Sequence, residues 1–345
     1  EAVYVDNPPK IDGEVDDAAW QNAAIVTDFE QREPNTGEPV SEKTIAHICY
    51  DKNYLYVGFI CYDDPNKITA KEIGRDAALP NDDKIVIMLD TFLDRRNSYW
   101  FEINPRGSKG DALFGQNGAS MNKDWDGIWL GRSSIQPHGW ETEVAIPFKS
   151  LNFHPTQTIW GLKLARDIQH KSEKAYWPIA NINGPSYMVS DAGDLVGLEG
   201  MSQGVGLDVR PYGLIGLDEK RGESLSLKSV DTDAGLDVFY QITPGLKSVL
   251  TVNTDFAQTE VDDRQINLTR FQLYFPEKRD FFLDGTNYFQ FANEGESGRP
   301  KIVALIPNWR IFSSRIPITC FTYFSRWSAV TTRLFLISLY IFSWI

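Results

Sequence analysis

The residues that could do chemistry fall mostly between positions 100 and 177. Trp100, Trp125, Trp129, Trp140 and Trp177 lie near Asn104, Arg106, Asp124 and Asp126, enough to build an aromatic platform ringed by polar groups. In a sheet protein the same tryptophans serve equally well as core. Asn122-x-Asp124-x-Asp126-Gly127 sets oxygen donors at alternate positions with a glycine at the bend, the first half of a calcium loop. Ser133 occupies the position where the closing bidentate glutamate is needed, so an EF-hand is excluded. A looser structural calcium site on Asn122, Asp124 and Asp126, or an acidic turn without metal, are the two readings left, and no other cofactor is required. The four histidines, His47, His138, His154 and His170, have no His-x-x-x-His or Gly-x-Ser-x-Gly company. Glycoside hydrolysis needs two opposed carboxylates. With 47 acidic residues such a pair can always be nominated, so no catalytic residue is assigned.

The elements that must carry these residues are strands. The chain has 345 residues, 42% hydrophobic, 23% charged and 13% aromatic, enough for roughly two to three domains with well-buried cores. A net charge of −13 excludes a nucleic-acid partner, because phosphate binding needs clustered Lys and Arg. Segments 44–50 and 54–62 are β-branched and aromatic runs joined by Asp51-Lys52-Asn53, a hairpin signal. A two-residue Lys52-Asn53 turn places Cys49 opposite Tyr56 and Cys61 opposite Thr44, too far apart to form a disulfide. Cys320 is the remaining cysteine, and none has the paired spacing of a zinc site. Further strands are expected at 84–90, 98–104, 139–146 and 159–166. Helix is scarce: Asp16 is expected to cap a short turn carrying Ala18, Ala19 and Trp20, and Pro147 to Leu151 suits another. Trp20 and Trp160 have small and apolar neighbours and are assigned to the core. Many short strands with Gly and Pro turns predict an all-β fold whose first 200 residues form a β-sandwich.

From about Gly204 the texture changes. Val205, Leu207 and Val209 alternate with Gly206, Asp208 and Arg210, and Leu236, Val238, Tyr240 and Ile242 alternate with Gly235, Asp237, Phe239 and Gln241. Thr243-Pro244-Gly245 turns the chain and 246–256 returns. This dyad alternation fits an outer-membrane barrel hairpin or a soluble antiparallel sheet with one wet face. Every acidic residue lies at or before Glu296 and every glycine at or before Gly298, while Lys301, Arg310, Arg315, Arg326 and Arg333 follow. Residues 334–345 are apolar on every face and shorter than the ~20 residues of a membrane-spanning helix. The expected division is 1–200 sandwich, 201–299 start of a barrel domain, and 300–345 an atypical tail. For the tail the readings are a functional anchor or a shifted frame or fragment. The start at Glu1, without an initiator Met or apolar leader, is read as a mature form or fragment without its signal peptide.

Two sets of ordered motifs resemble known families. Pro9-Lys10-Ile11-Asp12-Gly13-Glu14-Val15-Asp16-Asp17-Ala18-Ala19-Trp20, Tyr54-Leu55-Tyr56-Val57, Asp82-Asp83, Ile85-Val86-Ile87-Met88-Leu89-Asp90, Gly139-Trp140-Glu141-Thr142-Glu143-Val144-Ala145-Ile146-Pro147 and Gly193-Asp194-Leu195 together resemble the family 9 carbohydrate-binding modules and their looser relatives. The resemblance implies a sugar held between two tryptophans with charged groups beside it. Here Leu79-Pro80-Asn81 stands at the first tryptophan, Val86 at an acidic position and Glu102 at an arginine; Trp177 is the counterpart of the second aromatic. A sugar site would be rebuilt from Trp177, Trp100, Trp125, Trp129, Asn104 and Arg106. Calcium sites in these modules support the calcium reading, and Asp82, Asp83 and Asp90 are expected to hold loops or an ion.

The second set is Thr251-Val252-Asn253-Thr254-Asp255-Phe256-Ala257-Gln258-Thr259-Glu260-Val261-Asp262, Asn267-Leu268-Thr269-Arg270-Phe271 and Tyr274-Phe275-Pro276-Glu277-Lys278-Arg279-Asp280-Phe281-Phe282-Leu283-Asp284-Gly285. It resembles a family of large Bacteroidetes-type envelope proteins that join such a sandwich to an outer-membrane β-barrel. The implied protein is a non-catalytic, carbohydrate-binding envelope protein displayed at the bacterial outer membrane, here with an incomplete antiparallel barrel. The alternatives are a membrane-associated glycoside hydrolase and a periplasmic plug or assembly domain.

Overall fold

The computed structural model describes residues 1–202 apart from 124, 155 and 180, and the strand segments 207–218, 229–243, 246–252, 290–294, 300–303, 310–312 and 317–324. The chain divides into two units, Glu1–Gly204 and Val205–Ile345.

In the first unit the strands are β1 (Val3–Tyr4), β2 (Ala24–Val26), β3 (Glu30–Glu33), β4 (Thr44–Tyr50), β5 (Tyr54–Tyr62), β6 (Lys84–Asp90), β7 (Ser98–Ile103), β8 (Lys109–Gly115), β9 (Ser120–Asn122), β10 (Leu130–Gln136), β11 (Gly139–Pro147), β12 (Ile159–Ile168), β13 (Glu173–Trp177) and β14 (Gly193–Val196). The helix α1 covers Ala18–Gln21. A six-stranded sheet runs β1-β4-β5-β11-β10 with β2 on β4, and an eight-stranded sheet runs β3-β13-β12-β6-β7-β8-β9 with β14 on β12. The two form an all-β sandwich, as the strand and turn pattern predicts.

Period-two alternation sends one side of each strand into a shared core. Ile85, Ile87 and Leu89 of β6, Phe101 of β7 and Leu162 and Leu164 of β12 face Phe59, Trp140 and Val144 of the other sheet. Trp160 closes one region of it, edge-on to Phe148 at 5.8 Å and tilted against Phe153 at 5.3 Å. The predicted β4–β5 hairpin has the expected register, Cys49 opposite Tyr56 and Thr44 opposite Cys61. Asp51 makes the turn: its Oδ1 accepts from the Asn53 and Tyr54 amides at 2.6 and 2.7 Å, an Asx turn. Both cysteines are unpaired and buried, and burial pushes each thiol up to about 12.

Both sheets carry a second packed layer outside the core. Over the six-stranded sheet, Trp20, Ala19, Ala23 and Val5 cover Cys49, Tyr56 and Ala145. Glu143 of β11 fixes this layer, accepting from the Asp12 and Gly13 amides at 2.8 and 2.9 Å and from the Trp20 indole at 2.8 Å. Gly13 has φ +100°, and a Cβ there would meet the Ser133 backbone at 3.0 Å. So Trp20 is buried as expected, but in this outer layer. The expected Asp16 cap is corrected: Asp17 precedes α1 and makes no side-chain cap bond. Its carboxylate instead accepts from the Lys10 amide at 2.7 Å.

The acidic motif residues hold loops. Asp82 accepts from the Lys71 and Glu72 amides and from Asn104 Nδ2. Asp83 accepts from Thr69 and Gln169, and Asp90 from Asp94 and Arg95.

In the second unit β15 (Leu207–Asp218), β16 (Ser229–Thr243) and β17 (Leu246–Val252) form an antiparallel meander. The strands β18 (Gln290–Glu294), β19 (Pro300–Val303), β20 (Arg310–Phe312) and β21 (Pro317–Phe324) follow, with β17 pairing β21 and β21 pairing β20. The predicted hairpin at Thr243-Pro244-Gly245 is therefore present, with Thr243 opposite Leu246. Of the second motif set, only Thr251 and Val252 fall among the described residues; 334–345 lie outside them.

Candidate functional site

The expected aromatic site does not assemble. Neighbouring strand residues point to opposite faces, and this rule divides the set. Trp100 faces outward from the eight-stranded sheet, among Val86, Met88, Ala112, Phe114, Ala165 and Tyr176. Trp129 is buried on the inner side, edge-on to Phe101 at 5.4 Å, and Trp125 packs against Tyr99 and Phe101 beside it. Trp177 is half-buried and packs on the inner core, its ring 3.2 Å from where a Cβ on Gly193 would lie. Asn104 is fully buried, with its Nδ2 on Asp82 at 2.8 Å and on the Glu72 carbonyl at 2.9 Å. Arg106 is exposed in the turn that follows β7. As placed, Trp100 and Trp129 present no open ring face.

Asp126 of the acidic turn has a cationic partner. Arg75 donates from one guanidinium nitrogen to Asp111 at 3.0 Å, to the Gly127 carbonyl at 2.9 Å and to Asp126. Asn122 sits in β9, and Asp124 lies outside the described residues. Elsewhere, Glu42, Asp63 and His170 bring ligand atoms within 4.8 Å of one another. Two basic side chains hold that group: Arg166 lies 3.3 Å from Asp63 and Lys171 2.5 Å from Glu42.

A denser constellation lies on the outer face of the eight-stranded sheet. β6, β7 and β12 are apolar strands, yet each sends charge to this face at alternate positions: Lys84, Glu102, Lys163 and Asp167. Lys84 Nζ donates to Glu102 at 2.8 Å and lies 3.9 Å from Asp167, with all three residues buried. Burial raises the Glu102 carboxyl, against the pull of Lys84, and raises Asp167 to about 6. Burial likewise lowers Lys163 to about 8, opposed by Asp191 at 3.8 Å.

Aromatic rings frame these charges. Trp100 lies 6.1 Å from Phe114 and 6.3 Å from Tyr187, and Tyr176 lies 5.9 Å from Tyr187. Lys123 stands 5.9 Å over the Trp100 ring. Trp100 Nε1, Ser98 Oγ and Asp167 Oδ1 are buried on this face without a hydrogen-bond partner. Buried polar atoms are nearly always paired; unpaired ones also occur inside the core, at Trp140 Nε1 and Trp160 Nε1, and those on the outer face differ in lying among charged side chains.

Over this face lies the segment between β13 and β14, with Val189 buried against the rings. Sequence reasoning missed Lys84, Asp167, Lys163, Tyr176 and Tyr187. The available signal was the charge set inside apolar runs, as in Lys84-Ile85-Val86-Ile87 and Lys163-Leu164-Ala165-Arg166-Asp167.

A family model described as a domain of unknown function, DUF5916, matches residues 204–294. No curated protein matches the chain. Among solved structures, the sandwich is similar to a family 9 carbohydrate-binding module from Caldicellulosiruptor kristjanssonii in complex with cellotriose. That likeness has 19% identity and TM-score 0.42, covering 59% of this chain and 95% of that one. A family 9 module from the same organism in complex with glucose is 19% identical with TM-score 0.40, covering 59% and 99%. A candidate carbohydrate-binding protein from Bacteroides uniformis is 13% identical with TM-score 0.46, covering 56% and 96%.

Proposed function

We propose that this chain is a carbohydrate-binding protein of the bacterial cell envelope whose ligand seat is the outer face of the eight-stranded sheet. The observation that carries the reading is the convergence there of Trp100, Phe114 and Tyr176, covered in this structure by Tyr187, with the orphaned Trp100 Nε1 and Asp167 Oδ1. Aromatic rings suit the C–H faces of a sugar, and unpaired donors and acceptors suit its hydroxyls. Lys84 and Lys163 face Glu102, Asp167 and Asp191, a near balance of charge that favours a neutral ligand. The ordered family 9-like motifs support the same class. Binding of the full chain to a glycan array, with turnover of a labelled polysaccharide measured beside it, tests this. Binding without turnover is the expected result; turnover would replace the reading with a membrane-associated glycoside hydrolase. Silence in both assays would favour the plug or assembly domain.

Display at the outer membrane is the second part of the proposal, and the second unit supports it. Leu207 pairs with Tyr240, Pro211 with Leu236 and Ile215 with Thr232, so Leu207, Val209, Ile215, Leu236 and Tyr240 share one face, and all are exposed. The other face carries Arg210, 4.9 Å over the Phe239 ring. An apolar row backed by a polar one suits a strand between lipid and lumen. Among the described residues no helix is long and apolar enough to cross a membrane.

A further inference from the structure

We propose that the segment Asn181–Asp191 is a hinged strap that closes the seat and must lift for a ligand to enter; this rests on the seat proposed above. β13 and β14 lie end to end along the same edge of β12, Trp177 opposite Leu164 and Gly193 opposite Leu162. The intervening chain is thus an excursion from what is otherwise one strand, leaving and rejoining the ladder two residues apart. Its feet touch: a Cβ on Gly193 would lie 3.0 Å from Pro178 and 3.2 Å from Trp177. A loop with closed ends and local packing can move as a body without breaking the sheet.

The strap's own hydrogen bonds are local turns, Gly184 to Asn181, Met188 to Pro185 and Ala192 to Val189. Asn181 also donates to Asp191 at 2.9 Å. It is tied to the sheet by side chains instead of a ladder. Arg32 donates to the Gly184 carbonyl at 2.7 Å and to Ser186 Oγ. Asn117 and Ser190 bond in both directions, at 3.0 and 2.8 Å. Lys163 donates to the Met188 carbonyl at 3.2 Å. Tyr187 is the plug, packed on Trp100, Phe114 and Tyr176. Closure leaves Trp100 Nε1 and Asp167 Oδ1 unsatisfied, so the closed state is penalised by the groups that a bound ligand would satisfy.

The test uses the full chain and its Arg32→Ala variant, which removes two ties to the strap and no hydrogen bond to Trp100 or Asp167. Hydrogen exchange is followed at the strap amides, at the Trp100 indole N–H and at the β12 amides. Arg32→Ala is expected to speed the strap amides and the Trp100 indole by one common factor of tenfold or more, leaving β12 unchanged. Strap exchange that tracks β12, or a Trp100 indole indifferent to the variant, overturns the strap whatever the chain binds. Titration with glucose and with cellotriose is the second arm. If closure competes with binding, the variant binds tighter by the factor seen in exchange. Faster opening with unchanged affinity overturns the gating. If neither sugar binds while exchange behaves as expected, the strap stands and the carbohydrate reading falls for these sugars.

Discussion

Asp167 combines burial, proximity to a lysine and an unpaired oxygen, and its titration has a definite sign. Its carboxyl is raised to about 6 by burial, with Lys84 opposing. The folded state therefore holds the proton more tightly than the unfolded state, and stability falls as pH rises from about 4 to about 6. Asp167→Asn removes this dependence. In denaturant titrations from pH 4 to 7 the variant should gain on the wild type across that window, by roughly 1.4 kcal/mol per unit of pKa displacement. A constant difference at all pH values would mean that Asp167 is not raised. Trp20 offers a second check, since its indole both packs against the six-stranded sheet and satisfies Glu143. Trp20→Ala should cost about 3–5 kcal/mol; a loss below about 1 kcal/mol would contradict its burial. Glu143→Gln keeps the shape but puts an amide N–H₂ against donors, with an expected loss of about 1–3 kcal/mol.

At the scale of elements, the β4–β5 hairpin was legible because local chemistry fixes it. Asp51 supplies the turn acceptor, and alternation then sets Cys49 against Tyr56. Asp51→Ala removes the acceptor for the Asn53 and Tyr54 amides and for the Tyr56 hydroxyl. The expected loss is about 1 kcal/mol per bond, read from the midpoint of a denaturant titration. The Asp16 cap was misread because Asp17 is the residue that precedes α1, and its carboxylate takes a partner seven residues earlier in the chain: the loop amide of Lys10, brought close by the Glu143 clasp. The binding set was misread for a different reason. Proximity in sequence put Trp100 and Trp129 together, whereas strand alternation and the turns between β7 and β10 put them on opposite faces. What completes the outer face, Tyr187 over Trp100 and Tyr176, depends on an excursion from a strand edge that no periodic pattern announces.

At the scale of the whole molecule, two units with different chemistry share one chain: a sandwich with layers on both outer faces, and a meander whose apolar face is open. If the exposed row of Leu207, Val209, Ile215, Leu236 and Tyr240 meets lipid, the full chain should float with vesicles in a density gradient. Leu207→Asp with Ile215→Asp should reduce flotation, since burying a charge in hydrocarbon is costly. Flotation indifferent to both changes would remove that face from the account. The sandwich carries the proposed carbohydrate seat on the outer face of the eight-stranded sheet. The most direct measurement is calorimetric titration of the full chain and of Asp167→Asn with the strongest glycan-array ligand. Saturable binding by the wild type is expected, with at least tenfold weaker binding by Asp167→Asn and its melting temperature at neutral pH retained or raised. Equal affinity of the two proteins would contradict the proposed seat.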